Sequence, residues 1–285
     1  MNRRLLCTDL DRTLLPNGAQ PESPGARSRF ARLITDCGIT LVYVTGRHRQ
    51  LVREAIQFYD LPRPHYAITD VGTRIYEQQE GQWNEWERWG SEIGADWAGH
   101  SALQIHSELL HDLEQLRLQE WNKQGTHKLS YYIPPHADQQ HLSTEIGQRL
   151  QARGIHASVV CSMDEPAGIG LLDILPRGAS KLHAIGFLCE QLGIGLQQTL
   201  FAGDSGNDMQ VLTSPIPSVL VANASPEVRD AALAEARRLG TGDALYCARG
   251  GFRGMNGNYS AGILEGAAHF HPGWLESPTG EEGGQ

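Results

Sequence analysis

The chain has 285 residues, 40% of them hydrophobic and 20% charged, with a formal charge of −9. That is enough apolar sequence for a sizeable core. The negative balance makes nucleic acid and anionic membranes unsuited partners, and no apolar run is long enough to span a bilayer. The chain reaches Asp9 too soon for a signal-peptide core to precede it. The five cysteines, Cys7, Cys37, Cys161, Cys189 and Cys247, show no paired zinc spacing, and the expectation is reduced thiols in the cytoplasm.

Taken in order, Arg4 to Thr8 reads as a short buried strand that ends in Asp9. Pro16 to Gly25 is a loop. Residues 26–37 carry Phe30, Leu33, Ile34 and Cys37 at helical spacing, and Gly38 is the stop signal. Ile39 to Val44 is a continuous apolar run, suited to a parallel strand covered on both faces. Leu51, Val52, Ala55, Ile56 and Tyr59 mark a second helix, and extended segments follow at Tyr66 to Thr69 and Arg74 to Tyr76. From about Trp83 to Gln151 the pattern changes to long polar helical stretches, in which His106 and His111 read as solvated. The alternating strand His127 to Ile133 and another near His156 to Cys161 belong with them. The first rhythm then returns: helix Ala179 to Leu192, strand Thr199 to Ala202, helix Asp208 to Leu212 and strand Ser218 to Ala222. A last helix begins at Ser225–Pro226, with Ser as cap and Pro at the first helical position. The alternation predicts an α/β fold with a doubly wound parallel sheet, and the middle an inserted α+β module. Ser277 to Gln285 is rich in Gly and Glu and reads as disordered.

Four stretches carry chemistry. Asp9 and Asp11 in Asp-Leu-Asp-Arg-Thr follow an apolar strand, where open α/β sheets place their ligands. One such carboxylate can attack phosphorus, while the other protonates the leaving oxygen and then activates water. The alternative is an Asp-rich turn. Thr45-Gly46-Arg47 also follows a buried strand and offers a hydroxyl and an N–H to phosphate oxygens, or else is a plain helix cap. Arg47 reaches substrate or cap, or makes a salt bridge at the helix start. Lys181 opens a helix and can neutralise a transferring phosphoryl group, unless it is a surface lysine. Gly203-Asp204-Ser205-Gly206-Asn207-Asp208 has the carboxylates and amide that suit Mg²⁺, against the reading of a turn. Its clustered acids repel without a cation. Trp83, Trp86, Trp89 and Trp97 read as packing residues before a sugar platform, and His269 and His271 as structural or exposed.

The series Asp-x-Asp-x-Thr, Thr-Gly-Arg, Lys and Gly-Asp-x-x-x-Asp resembles the haloacid dehalogenase (HAD) superfamily of phosphatases. The resemblance implies a Rossmann-like core, residues 1–81 and 178–285, with an α+β cap at 82–177 that sets substrate specificity. It implies Asp9 as nucleophile, Asp11 as acid/base and Lys181 as the catalytic cation. Thr45, Gly46, Arg47 and Asn207 would face the phosphate. Mg²⁺ would be held by Asp9, the backbone carbonyl of Asp11, Asp204 and Asp208. Further stretches, TDVGTRIYE (69–77), HKLSYYI (127–133), LLDILPRGASK (171–181), VLVANASPEV (219–228) and SAGILEGAAHF (260–270), resemble the sucrose-phosphate phosphatase branch. The chain departs from that branch at Ala179-Ser180-Lys181-Leu182, where Ser-Asn-Lys-Gly is usual, and in a longer stretch at 250–259. The branch implies a cytoplasmic hydrolase of sucrose biosynthesis acting on a small sugar phosphate, sucrose 6-phosphate first. Mannosylfructose phosphate is an alternative. The branch also raises association with a sugar-phosphate synthase. A phosphomutase on the same core and a non-catalytic sugar-phosphate-binding protein are the competing readings. Within the cap, alternation sets Lys128, Ser130 and Tyr132 on one face, and Lys128 is the candidate contact to sugar hydroxyls. Asp173 either sits near the site or ends a strand.

Overall fold

The structure, a computed structural model, describes residues 3–164 and 167–275. The tail expected to be disordered lies outside the described residues. In chain order the elements begin β1 (Leu5–Thr8), α1 (Ala26–Asp36), β2 (Thr40–Val44), α2 (Arg49–Phe58), β3 (Tyr66–Thr69), β4 (Arg74–Gln79), β5 (Gln82–Glu85) and α3 (Glu87–Gly94). Next come α4 (Ala102–Ile105), β6 (Arg117–Leu118), β7 (Leu129–Ile133), α5 (Gln139–Gln151), β8 (Ala157–Asp164) and β9 (Ile169–Pro176). The chain continues with α6 (Lys181–Leu192), β10 (Thr199–Gly203), α7 (Met209–Leu212), β11 (Ser218–Leu220), α8 (Pro226–Leu239), β12 (Leu245–Cys247) and α9 (Ser260–Phe270).

Eight strands form one sheet in the order β12-β11-β10-β1-β2-β3-β4-β5. The first six in that order pair in parallel, and β4 and β5 add an antiparallel edge. Both faces of the parallel part are covered, which is why its strands read as unbroken apolar runs. Successive residues alternate between two cores. Leu6, Leu41, Tyr43, Leu200 and Ala202 pack on one side. Leu5, Cys7, Val42, Val44 and Phe201 pack on the other. The strand order reverses at β1, which lies between β10 and β2. A crevice therefore opens at the carboxyl end of β1.

The second sheet, β6-β7-β9-β8, is antiparallel. It has a core of its own, with Leu129, Tyr131 and Ile133 of β7 packed among Trp97, Leu142, Ile146 and Leu172. The other face of β7 carries Lys128, just before the strand, and Ser130. Residues 82–94, expected in the inserted module, pair and pack with the large sheet. β5 is hydrogen-bonded to β4 in the large sheet, and Trp89 and Ile93 of α3 are buried in the large-sheet core. The polar face of the β4–β5 hairpin hides this in the sequence. Trp86 and Trp89 pack against Phe187, as expected of packing residues. His106 is not simply solvated: its Nδ1 lies 3.0 Å from the Tyr131 hydroxyl. No helix among the described residues is long and apolar enough to cross a membrane.

Candidate active site

The site assembles at the carboxyl ends of β1, β2 and β10 and at the start of α6. Asp9 extends the β1–β10 ladder by one bond, its N–H donating to Ala202 O at 2.9 Å. Its side chain is thereby fixed at the mouth of the crevice, 4% exposed. Lys181 is the first residue of α6, after the cap Ser180, whose hydroxyl accepts from His183 N–H. The Lys181 ammonium donates to Asp9 Oδ1 at 2.9 Å, Asp208 Oδ1 at 2.7 Å and Asn207 Oδ1 at 3.0 Å. Burial would favour its neutral form, but Asp208 and Asp9 outweigh that and hold the ammonium charged.

Asp208 is fully engaged. Its other oxygen, Oδ2, accepts from the N–H groups of Asp204 and Ser205 at 3.1 and 3.3 Å. That closeness requires Gly203, because a Cβ there would stand 2.7 Å from the Asp208 carboxyl carbon. Asp204 is buried, accepts from the Thr13 hydroxyl at 3.2 Å and has Arg12 Nε 3.5 Å away. Burial pushes Asp9 up to about 7 and Asp204 up to about 6, each raised further by Asp208. Carboxylate oxygens of Asp9, Asp204 and Asp208 lie within 4.8 Å of one another. Lys181 and the half-exposed Arg12 bring two positive charges to three buried carboxylates, and an oxygen-only donor set suits a hard cation. The residues fit a divalent metal.

Asp11 points elsewhere. Arg47 grips it with both arms, Nε to Oδ2 at 2.7 Å and a terminal nitrogen to Oδ1 at 2.6 Å. Asn17 Nδ2 donates to Oδ1 at 2.7 Å. Burial would raise the Asp11 carboxyl, but the Arg47 bonds and charge and the Asn17 amide hold it below the usual range. Its carboxylate is not in the cluster of three. Thr45 is buried and its hydroxyl oxygen accepts from Arg47 N–H at 3.1 Å, which leaves the hydroxyl proton free to donate. Gly46 lies between them on the same turn.

A segment that the sequence marked only as part of the stretch TDVGTRIYE (69–77), with no role for its residues, joins these parts. Asp70, Val71 and Gly72 take positive φ in succession, 52°, 61° and 95°. Asp70 N–H donates to Arg47 O, and Val71 N–H to Thr45 O. Gly72 packs on the Ser180 backbone, so the strap connects the Thr45 turn to the Lys181 helix start. Such conformations at non-glycine residues cost on the order of 1–3 kcal/mol each and persist where surroundings enforce them. Asp70 is buried, which raises its carboxyl against the pull of Lys128 and Arg74. Lys128 in turn lies 3.9 Å from Asp173, and Ser130 bonds the same carboxylate. The sequence signals for Arg12, Thr13 and Asn17 were their places beside Asp11 and in the Pro16-Asn17-Gly18 turn. The 250–259 stretch holds the loop after Asp11: Asn256 and Asn258 donate to Pro21 O, and Tyr259 to Gln20 O.

A buried acid cluster with one lysine, at the switch point of a doubly wound sheet in a chain that carries a second sheet, defines a HAD-type phosphatase. A family model described as sucrose-6F-phosphate phosphohydrolase matches residues 2–271, and the chain belongs to that family. It is a phosphoric monoester hydrolase with a small-molecule sugar phosphate as substrate. A chain of Nitrosococcus oceani described only as a HAD-like hydrolase is 54% identical, over 98% of this chain and 75% of that one. The mannosylfructose-phosphate phosphatase of Agrobacterium fabrum is 31% identical, over 79% of this chain and 85% of the relative. The structure of the sucrose-phosphatase from Synechocystis with sucrose and phosphate has a TM-score of 0.71 at 27% identity, covering 95% of this chain and 98% of that one.

Proposed function

We propose that the chain is a Mg²⁺-dependent phosphatase for a glycosyl-sugar phosphate, sucrose 6-phosphate first, acting through an aspartyl-phosphate. The observation that carries this reading is the Asp9–Lys181–Asp208 contact, with Asp204 beside it, at the end of β1. Asp9 Oδ1 carries the lysine, and among the described residues Oδ2 is met only by the Thr13 hydroxyl at a long 3.5 Å. Asp9 attacks phosphorus. Asp11 gives a proton to the sugar oxygen as the P–O bond breaks, then takes one from the water that attacks the acyl phosphate. Lys181, Thr45 and the Gly46 N–H stabilise the equatorial oxygens, and Arg47 turns from Asp11 to the phosphate. Asn207 fixes the Lys181 ammonium. Asp9, Asp204, Asp208 and the Asp11 carbonyl would hold Mg²⁺, which neutralises phosphate charge when bound. Positioning and charge stabilisation supply most of the rate.

The unit built on the second sheet, from after α3 to residue 177, is the proposed cap. Lys128, beside Asp173 and Ser130, is its proposed contact with sugar hydroxyls. The phosphatases among the relatives favour hydrolysis over a mutase. Mannosylfructose phosphate is the second reading, supported by the Agrobacterium relative. A cytoplasmic site and association with a sugar-phosphate synthase belong to the same proposal. Phosphate release from a panel of mono- and disaccharide phosphates with Mg²⁺ tests the reading. The highest kcat/KM is expected for a disaccharide phosphate. Preference for a monosaccharide phosphate, or an isomeric phosphate as main product, contradicts it.

A further inference from the structure

Asn17 stands at the point where the loop after β1 turns back on itself. Its amide works at both ends. Oδ1 accepts from Arg12 N–H at 2.8 Å, and Nδ2 donates to Asp11 Oδ1 at 2.7 Å. Only this orientation of the amide gives the carboxylate a donor and the N–H an acceptor. Arg12 has φ 59°, a left-handed conformation that a residue with a Cβ takes at a cost. A second asparagine secures it from the other side, since Asn223 Nδ2 donates to Arg12 O at 2.6 Å while its Oδ1 accepts from Tyr259 N–H. Arg12, the residue after Asp11, is thus fastened at its N–H and its carbonyl.

The two oxygens of Asp11 are not equivalent. Among the described residues Oδ2 is held by Arg47 Nε alone, whereas Oδ1 is held by Arg47 and by Asn17. A guanidinium drawn to a phosphoryl dianion would leave Oδ2 bare and Oδ1 still held. We propose that Asn17 is a positioning residue for Asp11: it keeps Oδ1 in place when Arg47 moves to the substrate, so that Oδ2 faces the leaving oxygen and carries the proton. In the step itself, an Asp9 oxygen bonds to phosphorus as the P–O bond to the sugar breaks; that bond's electron pair goes to the sugar oxygen, the proton on Oδ2 closes the oxygen to a hydroxyl, and Asp11 is left as the carboxylate. The inference rests on Asp11 as the acid of the reaction.

The test compares kcat/KM for a sugar phosphate with that for an aryl phosphate whose phenol leaves without a proton. Steps after phosphoryl transfer do not enter kcat/KM, so the ratio isolates the acid. Asn17 is exposed, and its substitution removes no core contact. Asn17→Ala is expected to lower the sugar-to-aryl ratio by about tenfold, the loss of one hydrogen bond to a charged group. Asn17→Asp keeps an acceptor for Arg12 N–H but sets a carboxylate against Asp11, and its ratio is expected to fall further. Equal losses on both substrates in the folded variants would mean that the loop is merely loosened and overturn the proposal. So would an Asp variant with the wild-type ratio. Asp11→Asn, measured alongside, must lower the ratio as well. If it does and the Asn17 variants do not, the positioning role alone fails; if it does not, the acid assignment fails and takes the positioning role with it.

Discussion

The Lys181 ammonium and the Asp9 carboxylate, 172 residues apart in sequence, meet at 2.9 Å with both side chains almost fully buried. The lysine is the only cation in contact with Asp9 and Asp208 among the described residues. Removing it as Lys181→Met leaves buried carboxylates uncompensated. The metal-free variant is expected to lose on the order of 3–5 kcal/mol at pH 8. The loss should shrink at pH 5.5, where Asp9 takes up a proton in place of the lysine. Urea unfolding at the two pH values measures the difference, and equal losses contradict the charge argument.

Metal dependence should follow the same carboxylates. In the metal-free fold Asp9 titrates at about 7 and Asp204 at about 6, both raised above the unfolded chain. A raised carboxyl contributes stability at low pH, and that contribution is lost as pH rises through the folded value. A divalent cation binds the ionised forms and offsets the loss. Added Mg²⁺ is therefore expected to raise Tm more at pH 8 than at pH 5.5, and EDTA to stop turnover until Mg²⁺ is restored. A Tm shift independent of pH, or full activity in metal-stripped protein, counts against the site.

Gly72 offers a test of the strap. With φ 95°, an added Cβ would stand 2.6 Å from the Ser180 carbonyl carbon. Gly72→Ala must either shift the start of α6 or break the strap. About 2–4 kcal/mol of destabilisation is expected, from backbone strain plus the clash. Turnover should fall as well, because Lys181 follows Ser180 directly. A variant with wild-type Tm and kcat shows that the strap does not position Lys181.

Much of this core was legible in the sequence, for a physical reason. Strands covered on both faces must be apolar throughout, and the chain before Asp9, Thr45 and Asp204 is. Ser225–Pro226 opens α8 with the side-chain cap its residues predict, Val228 N–H donating to Ser225 Oγ. What stayed hidden depends on pairing. β5 is four largely exposed residues that become a strand only against β4. The strap at Asp70 shows in the sequence only as the gap between two extended segments, because strain enforced by Ser180, more than a hundred residues on, leaves no local pattern. Arg47 was left between substrate and salt bridge, and the bond it makes is to Asp11 itself.

The cap reading is tested through Lys128. An aryl phosphate needs only the core chemistry, whereas a disaccharide phosphate also needs its distal hydroxyls held. Lys128→Ala is expected to lower kcat/KM for the disaccharide phosphate about ten- to a hundredfold, roughly 1–3 kcal/mol of lost hydrogen bonding, and to change the aryl ester little. An unchanged ratio of the two values in a folded variant removes Lys128 from the substrate site.

The central claim is that Asp9 carries the phosphoryl group. An aryl phosphate needs no acid to leave, but the acyl phosphate still needs Asp11 to activate water. Asp11→Asn should therefore form the intermediate and release it slowly. Acid quench of that variant during one turnover, followed by peptide mass spectrometry, reads the attachment point. The phosphoryl group is expected on Asp9, labile to hydroxylamine and absent when Asp9 is also changed to Asn. Phosphate on any other residue, or release of phosphate with no protein-bound phosphoryl group at any time, would contradict it.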